Sequence, residues 1–309
     1  MKTIIYSTLT NNTFLELQYK SIKKYFRSEF EYIIFDDSRE TEHITSYNKI
    51  QTKSIEQTCK YFGIKYIRLP QELHKNRGAV LSEEWTRKNM DEHPYEDHPV
   101  TKCALAVQYG FNYVIKNYKD VYLLLIDSDM FFIDYFNINE YMKNYDIAGI
   151  PQSRLNINYL WNGLFICNLN SCQNLKEFNW EAGQVFELDK NNNKTNECIG
   201  CDVGGHNYYY LTKYGYLNEK KDKLDLIADH HHDTTDNVLN CGHKQKIKDL
   251  LINFCGLKSA PTGVPDKWIN KEIIMNCIIH IRGGGGWSYQ KEEYHKDCVK
   301  IIDNYLYLN

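Results

Sequence analysis

Val121-Tyr122-Leu123-Leu124-Leu125-Ile126-Asp127-Ser128-Asp129 is the stretch on which the fold turns. Six consecutive apolar residues suit a central parallel strand buried on both faces. The run stops abruptly at two carboxylates with one small residue between them. Placing two such groups at the mouth of an apolar strand is costly unless their charge is compensated. Hard divalent cations such as Mg²⁺ or Mn²⁺ take oxygen ligands and share them with substrate phosphates. Two solvated aspartates at an ordinary strand exit are the alternative, and the buried strand favours the cation. In open α/β sheets, ligands bind beyond the carboxyl ends of the strands, where this pair would sit.

Working outward, Val100, Cys103/Ala104, Val107, Phe111 and Val114/Ile115 recur at helical spacing just before the strand, and Lys119-Asp120 turns the chain into it. Towards the N-terminus, Thr3 to Thr8, Tyr32 to Phe35 and Ile64 to Ile67 read as strands rich in β-branched and aromatic residues. A helix opened by a Thr13/Glu16 capping box separates the first two, and a helix over 52–62 closed by Gly63 precedes the third. Alternation of this kind implies parallel crossovers with helices on both faces of the sheet. Beyond residue 130 the pattern loosens. Ile147 to Ile150, Leu164 to Cys167 and Cys277 to Ile281 read as strands, and residues 170–190 as partly helical. Residues 189–197 and 218–225 read as loops. Nothing resembles a repeat or a linker, so residues 1–309 are read as one domain.

Composition excludes several classes. With 309 residues, 42% of them hydrophobic and 25% charged, the chain can build a full-sized core and is neither disordered nor fibrous. A net charge of -3 leaves no electrostatic footprint for nucleic acid. No run approaches the roughly 18 apolar residues of a membrane span, and Met1 to Tyr6 turns polar too soon for a signal peptide. The expectation is a cytoplasmic protein. The ten cysteines sit mostly in apolar stretches and read as reduced core thiols. The excess of Lys over Arg, with 25 Tyr and many Asn and Ile, is what AT-rich codons produce. It suggests a large DNA virus, and so host cytoplasm, or an AT-rich microbe.

Asp127-Ser128-Asp129-Met130-Phe131-Phe132, at the end of its apolar strand, resembles the metal-binding motif of GT-A glycosyltransferases. Ile4 to Thr8 and Phe35-Asp36-Asp37 resemble that family's first two strands, which border the nucleoside. Trp161-Asn162-Gly163-Leu164 is similar to its Asn-Ser-Gly strand beside the donor sugar. Cys201-Asp202-Val203-Gly204-Gly205 is similar to the Asp-Gln helix start of glycogenin-like members, and Ile279-His280-Ile281-Arg282 through Trp287 to the late segment that supplies a metal ligand. The resemblance implies a GT-A type, Rossmann-like single domain of α/β class, with a mostly parallel central sheet flanked by helices. Residues 1–130 would bind the nucleotide sugar and 131–309 would face the acceptor. It further implies Mn²⁺ or Mg²⁺ on Asp127, Asp129 and His280, and a UDP-sugar donor met by Thr8, Asp36, Asp127, Ser128, Arg282 and Trp287. Asn162 and Asp202 would serve as catalytic residues. The acceptor would be a glycan, a protein or a small molecule. The chain departs from the family where Gly163 follows Asn162 directly, where Val203 replaces Gln, and where glycines replace the Lys-Pro before Trp287. Neither retention nor inversion of configuration follows from it.

Other residues carry two readings each. Lys102 and Arg77 are surface cations or groups that reach donor sugar or phosphate. Trp161 and Trp287 pack in the core or stack on a sugar ring. Asp202 is a catalytic carboxylate or the N-cap of a helix over 204–211. Cys198-x-x-Cys201 and Asp229-His230-His231-His232-Asp233, with Cys241 and His243, offer zinc-type ligands. Yet a second CxxC is missing, and three adjacent histidines cannot all face one ion from regular structure. An exposed acceptor-side loop is the other reading. Two rival functions remain, a sugar nucleotidyltransferase and a carbohydrate-binding protein without turnover. Leu9-Thr10-Asn11-Asn12 lacks the Gly-rich basic loop expected of the first.

Overall fold

The run Val121–Ile126 forms strand β4, and all six of its side chains are buried. The structure, a computed structural model, describes residues 1–38, 52–70, 73, 99–232, 235–255, 271–281 and 292–308. Strand β1 (Lys2–Leu9) lies parallel beside β4, followed outward by β2 (Phe30–Asp36) and β3 (Lys65–Arg68), also parallel. On the other side β7 (Ile157–Asn168) runs antiparallel to β4, then come β6 (Ile147–Arg154) and β10 (Leu224–Leu226). The sheet order is β10-β6-β7-β4-β1-β2-β3, and β7 alone opposes the other six strands. Mostly parallel α/β architecture is therefore observed. The carboxyl ends of β1, β2 and β4 share one edge.

Alternate residues of β4 feed two separate cores, which is why the run has no polar face. Tyr122, Leu124 and Ile126 pack with α1 (Leu15–Tyr25) and α2 (Thr52–Phe62). Val121, Leu123 and Leu125 pack with Ala106, Val107, Phe111 and Val114 of α3 (Pro99–Asn117). Each buried Leu of this kind contributes about 1.5–3 kcal/mol by leaving water. Helix α3 comes so close to β1 that a Cβ on Gly110 would stand 2.8 Å from the Tyr6 ring.

A second sheet, of order β11-β12-β13-β5, is built from β5 (Met130–Phe132), β11 (Asp229–His232), β12 (Lys271–Ile274) and β13 (Ile278–Ile281), all antiparallel. Asp127-Ser128-Asp129 is the corner where the chain leaves β4 and enters β5. Two adjacent left-handed residues, Met275 (φ 55°) and Asn276 (φ 54°), turn β12 back into β13. Buried side chains from both sheets join one core, closed by α7 (Gln245–Cys255) and α8 (Glu292–Leu308), with α4 (Ile138–Tyr141) at its rim.

Several sequence expectations are corrected. Helix α1 starts after Phe14 with no side-chain cap, and Thr13 N–H donates instead to Asn11 Oδ1. The N-cap position is Phe14, and not Thr13 as the capping-box reading places it. Residues 170–190 hold one short 3₁₀ turn (Leu175–Glu177) and then β8 (Gly183–Leu188), because Phe178 and Trp180 dock into the sheet core rather than on a helix face. Lys194–Cys201, whose first half the sequence places in a loop, is β9, the partner of β8, and Leu224 to Leu226 is an edge strand. The ten cysteines are all free thiols, six of them buried. Among the described residues, no helix is long and apolar enough to cross a membrane.

Candidate metal centre

The site is assembled at the corner between the two sheets. Asp127 N–H donates to Gly163 O of β7 (2.8 Å), Met130 N–H to Asp127 O (3.2 Å), and Ser128 N–H to Asp127 Oδ1 (2.7 Å). These bonds set a tight turn that leaves Asp127 partly exposed and buries Asp129. Strand β13 then supplies His280, whose Nε2 lies 3.3 Å from Asp129 Oδ1. One ligand atom from each of Asp127, Asp129 and His280 falls within 4.8 Å of the others. Two carboxylate oxygens and an imidazole nitrogen from three chain positions thus meet in one place.

The three groups are coupled electrostatically. Burial, then the neighbouring Asp129 carboxylate, push the Asp127 carboxyl up to about 7. Burial on its own lowers His280, but the Asp129 and Glu272 carboxylates outweigh it and hold the imidazole up at about 10. Two carboxylates and one imidazole that meet at one strand end make a donor set that a divalent cation fits.

Glu272 is a candidate site residue that the sequence reading missed. It stands directly across from His280 in the β12–β13 pair, and its Oε2 accepts from His280 Nδ1 at 2.6 Å. A proton held on Nδ1 leaves Nε2 as the nitrogen facing Asp129. Glu272 sits beside Lys271 ahead of Ile273-Ile274, on the opposite arm of a hairpin from Ile278-Ile279, and no local pattern in the sequence singles it out. Beyond Glu272, His231 Nδ1 lies 3.2 Å from its Oε1, and Asp229 Oδ2 3.3 Å from His231 Nε2, carrying the polar row to the surface.

The turn also rests on a buried polar triad, likewise unread from sequence. Gln18 of α1 donates through Nε2 to Asp127 O (2.6 Å) and Met130 O (2.9 Å). Its Oε1 accepts from the Tyr32 hydroxyl and lies 3.2 Å from Ser7 Oγ. Ser7 Oγ donates its one proton to Ile126 O at 2.7 Å. Three side chains from β1, α1 and β2 therefore clamp the backbone on both sides of Asp127.

The remaining candidates distribute around this centre. Trp161 is half-buried, its ring 5.5 Å from that of His280. Its indole occupies the space where a Cβ on Gly163 would stand, 1.9 Å away, so the Gly directly after Asn162 makes room for the ring. Asn162 is buried and its Nδ2 meets Cys103 Sγ at 3.3 Å. Burial, then the Asp127, Asp202 and Asp37 carboxylates, raise the Cys103 thiol well above its usual range. Lys102 belongs to the first turn of that helix. Asp202 is not a helix N-cap: α5 (Asn207–Lys213) begins later, after His206, and Asp202 Oδ1 accepts from Val203 N–H. Gly204, at φ 97°, lets this turn press on Leu160 O, and Asn207 bonds both Leu160 N–H and O, tying α5 to β7.

Thr8 and Asp36 end β1 and β2 on the same edge as Asp127. The Asp36 carboxylate is buried and accepts from Ser38 N–H (2.8 Å), Ser38 Oγ (2.6 Å), Tyr66 OH (2.8 Å) and Arg68 Nη1 (3.0 Å). It therefore organises Tyr66 and Arg68 at that edge. Ser128 is half-buried beside Asp127. Arg77, Arg282, the glycines 283–286 and Trp287 lie outside the described residues. Cys198 and Cys201 sit on β9, apart from the histidine run, and join no described ligand cluster.

No protein-family profile matches this chain, and no curated protein does. Among solved structures it is similar to the mannosyltransferase Ktr4p from S. cerevisiae, at 10% identity and a TM-score of 0.37, over 54% of this chain and 56% of that one. It is also similar to the galactosyltransferase LgtC, at 10% identity and a TM-score of 0.31, over 55% and 58%. A third is S. aureus TarS 1-349, at 15% identity and a TM-score of 0.34, over 82% and 70%. The chain spans little more than half the length of the first two. TM-scores below 0.5 identify neither a shared fold family nor an activity, so the functional reading rests on the side chains.

Proposed function

We propose that this chain is a divalent-metal-dependent glycosyltransferase of GT-A type that uses a nucleotide-diphosphate sugar, with UDP as the nucleotide. The observation that carries the proposal is the convergence of Asp127, Asp129 and His280 at the carboxyl end of β4, with Glu272 behind His280. When bound there, Mn²⁺ or Mg²⁺ neutralises charge on the departing diphosphate.

The chain's own groups supply the rest. Asp127, Asp129 and His280 Nε2 hold the ion, while Gln18, Ser7 and Tyr32 keep the carboxylates on one side of the turn. Thr8, with the Tyr66 and Arg68 groups that Asp36 orders, borders the nucleoside, and Ser128 and Lys102 stand on the phosphate side; Arg282 and Trp287 are assigned to the donor by the sequence resemblance alone. Asn162 and Trp161 form the wall beside the donor sugar. Asp202 faces the acceptor hydroxyl, and accepts its proton if the anomeric configuration inverts. A nucleotide-sugar donor and an acceptor hydroxyl on a glycan, a protein or a small molecule are the partners this reading names, and residues 1–309 act as one domain.

A nucleotidyltransferase is disfavoured by Leu9-Thr10-Asn11-Asn12, which has neither Gly nor Arg after β1. Incubation with a panel of nucleotide sugars, with and without Mn²⁺, tests the proposal by the nucleoside diphosphate released. Release that requires Mn²⁺ and disappears in Asp129→Asn is expected. Release of pyrophosphate from a sugar phosphate and UTP would favour the nucleotidyltransferase, and no turnover with any donor the binding protein.

A further inference from the structure

We propose that His232, Cys241 and His243 form a second metal site, one that takes zinc and fastens the loop between two helices to the second sheet. Period-two alternation divides the Asp229–His232 run. Asp229 and His231 share the face that carries Glu272, while His230 and His232 face the other way. The run therefore serves two places, and three neighbouring histidines need not meet one ion.

On the second face, β11 receives Cys241 and His243 from the segment between α6 (Thr235–Asn240) and α7. His232 is buried and its Nε2 lies 2.8 Å from His243 Nε2. A ligand atom of Cys241 stands within 4.8 Å of both. Ligands placed about 2.0–2.3 Å from zinc at tetrahedral angles are roughly 3.3–3.8 Å apart, so small rotations of these side chains suffice. Asn276, on the left-handed turn of the β12–β13 hairpin, meets His243 Nδ1 at 2.8 Å. With a proton on Nδ1 donated to Asn276 Oδ1, His243 Nε2 carries the lone pair a metal needs. His230 shares the face of His232, and its ring centre is 5.7 Å from that of His243, which makes it the fourth ligand within reach.

Two imidazoles with one thiol select a softer ion than two carboxylates with one imidazole. The chain would thus sort metals, with Mn²⁺ or Mg²⁺ at the sheet corner and zinc here. Coordination would release one proton, from the Cys241 thiol to solvent, and the thiolate would exchange its bond to Val238 O (2.9 Å) for the metal.

Cobalt(II) titrated into the metal-stripped full chain tests this, because a thiolate-to-cobalt charge-transfer band arises at a cysteine-containing site and not at Asp127/Asp129/His280. The band should saturate near about one equivalent and be displaced by zinc. It should vanish in Cys241→Ser, persist in Asp129→Asn and Cys198→Ser, and require at least about tenfold more cobalt in His243→Asn. A wild-type chain with no such band overturns the proposal whatever the variants do, as does a band that survives Cys241→Ser or is lost in Cys198→Ser.

Discussion

Glu272 faces His280 across the β12–β13 pair, and its Oε2 is 2.6 Å from His280 Nδ1, on the side of the ring opposite Asp129. The carboxylate orients the imidazole that a cation would bind. Glu272→Gln keeps the shape and removes the charge, so Mn²⁺ affinity should fall by about 10–100-fold. Isothermal titration with Mn²⁺ reads this directly. Unchanged affinity would mean that Glu272 does not act through His280.

Gln18 joins Asp127 O, Met130 O, Ser7 and Tyr32 in a buried cluster. Gln18→Leu preserves most of the volume while stranding those partners, and should cost about 1–3 kcal/mol in urea unfolding. A loss confined to Gln18→Ala, with Gln18→Leu neutral, would show that the residue matters by filling space alone.

Gly163 and Trp161 occupy mutually exclusive space, since a Cβ at 163 would stand 1.9 Å from the indole. Gly163→Ala should destabilise by about 1–3 kcal/mol, and adding Trp161→Ala should recover part of that loss. Strictly additive effects of the two substitutions would contradict the packing described for the wall beside His280.

Asp134 provides the pH dependence. Burial raises its carboxyl, but the ammonium groups of Lys244 and Lys246 outweigh that and hold it near about 2. An unfolded Asp titrates at about 3.9. A depressed native value means the contribution is complete above the unfolded value and is lost as pH falls through the native one. The stability gap between wild type and Asp134→Asn should therefore be flat at neutral pH, narrow below about pH 4 and close near about pH 2. A gap that stays constant to pH 2 would rule out this coupling.

The first half of the fold was legible because its strands are apolar on both faces. β1, β2 and β4 each feed two cores, and continuous hydrophobic runs reveal that directly. The carboxylate pair and His280 were legible because each ends or interrupts such a run. Glu272, Gln18, Ser7 and Tyr32 were not, since each acts through a partner at least eight residues away and carries no local pattern. β9 escaped because Lys, Asn and Glu fill a largely exposed strand whose character comes only from pairing with β8.

Manganese binding to the full chain, followed by electron paramagnetic resonance with UDP added, tests the central claim most directly. In the wild type, UDP should tighten Mn²⁺ binding, with the spectrum broadened by phosphate coordination. Asp127→Asn and Asp129→Asn should each abolish that effect, while Cys241→Ser should leave it intact. Equal Mn²⁺ binding in the wild type and both aspartate variants, with no response to UDP, would contradict the account.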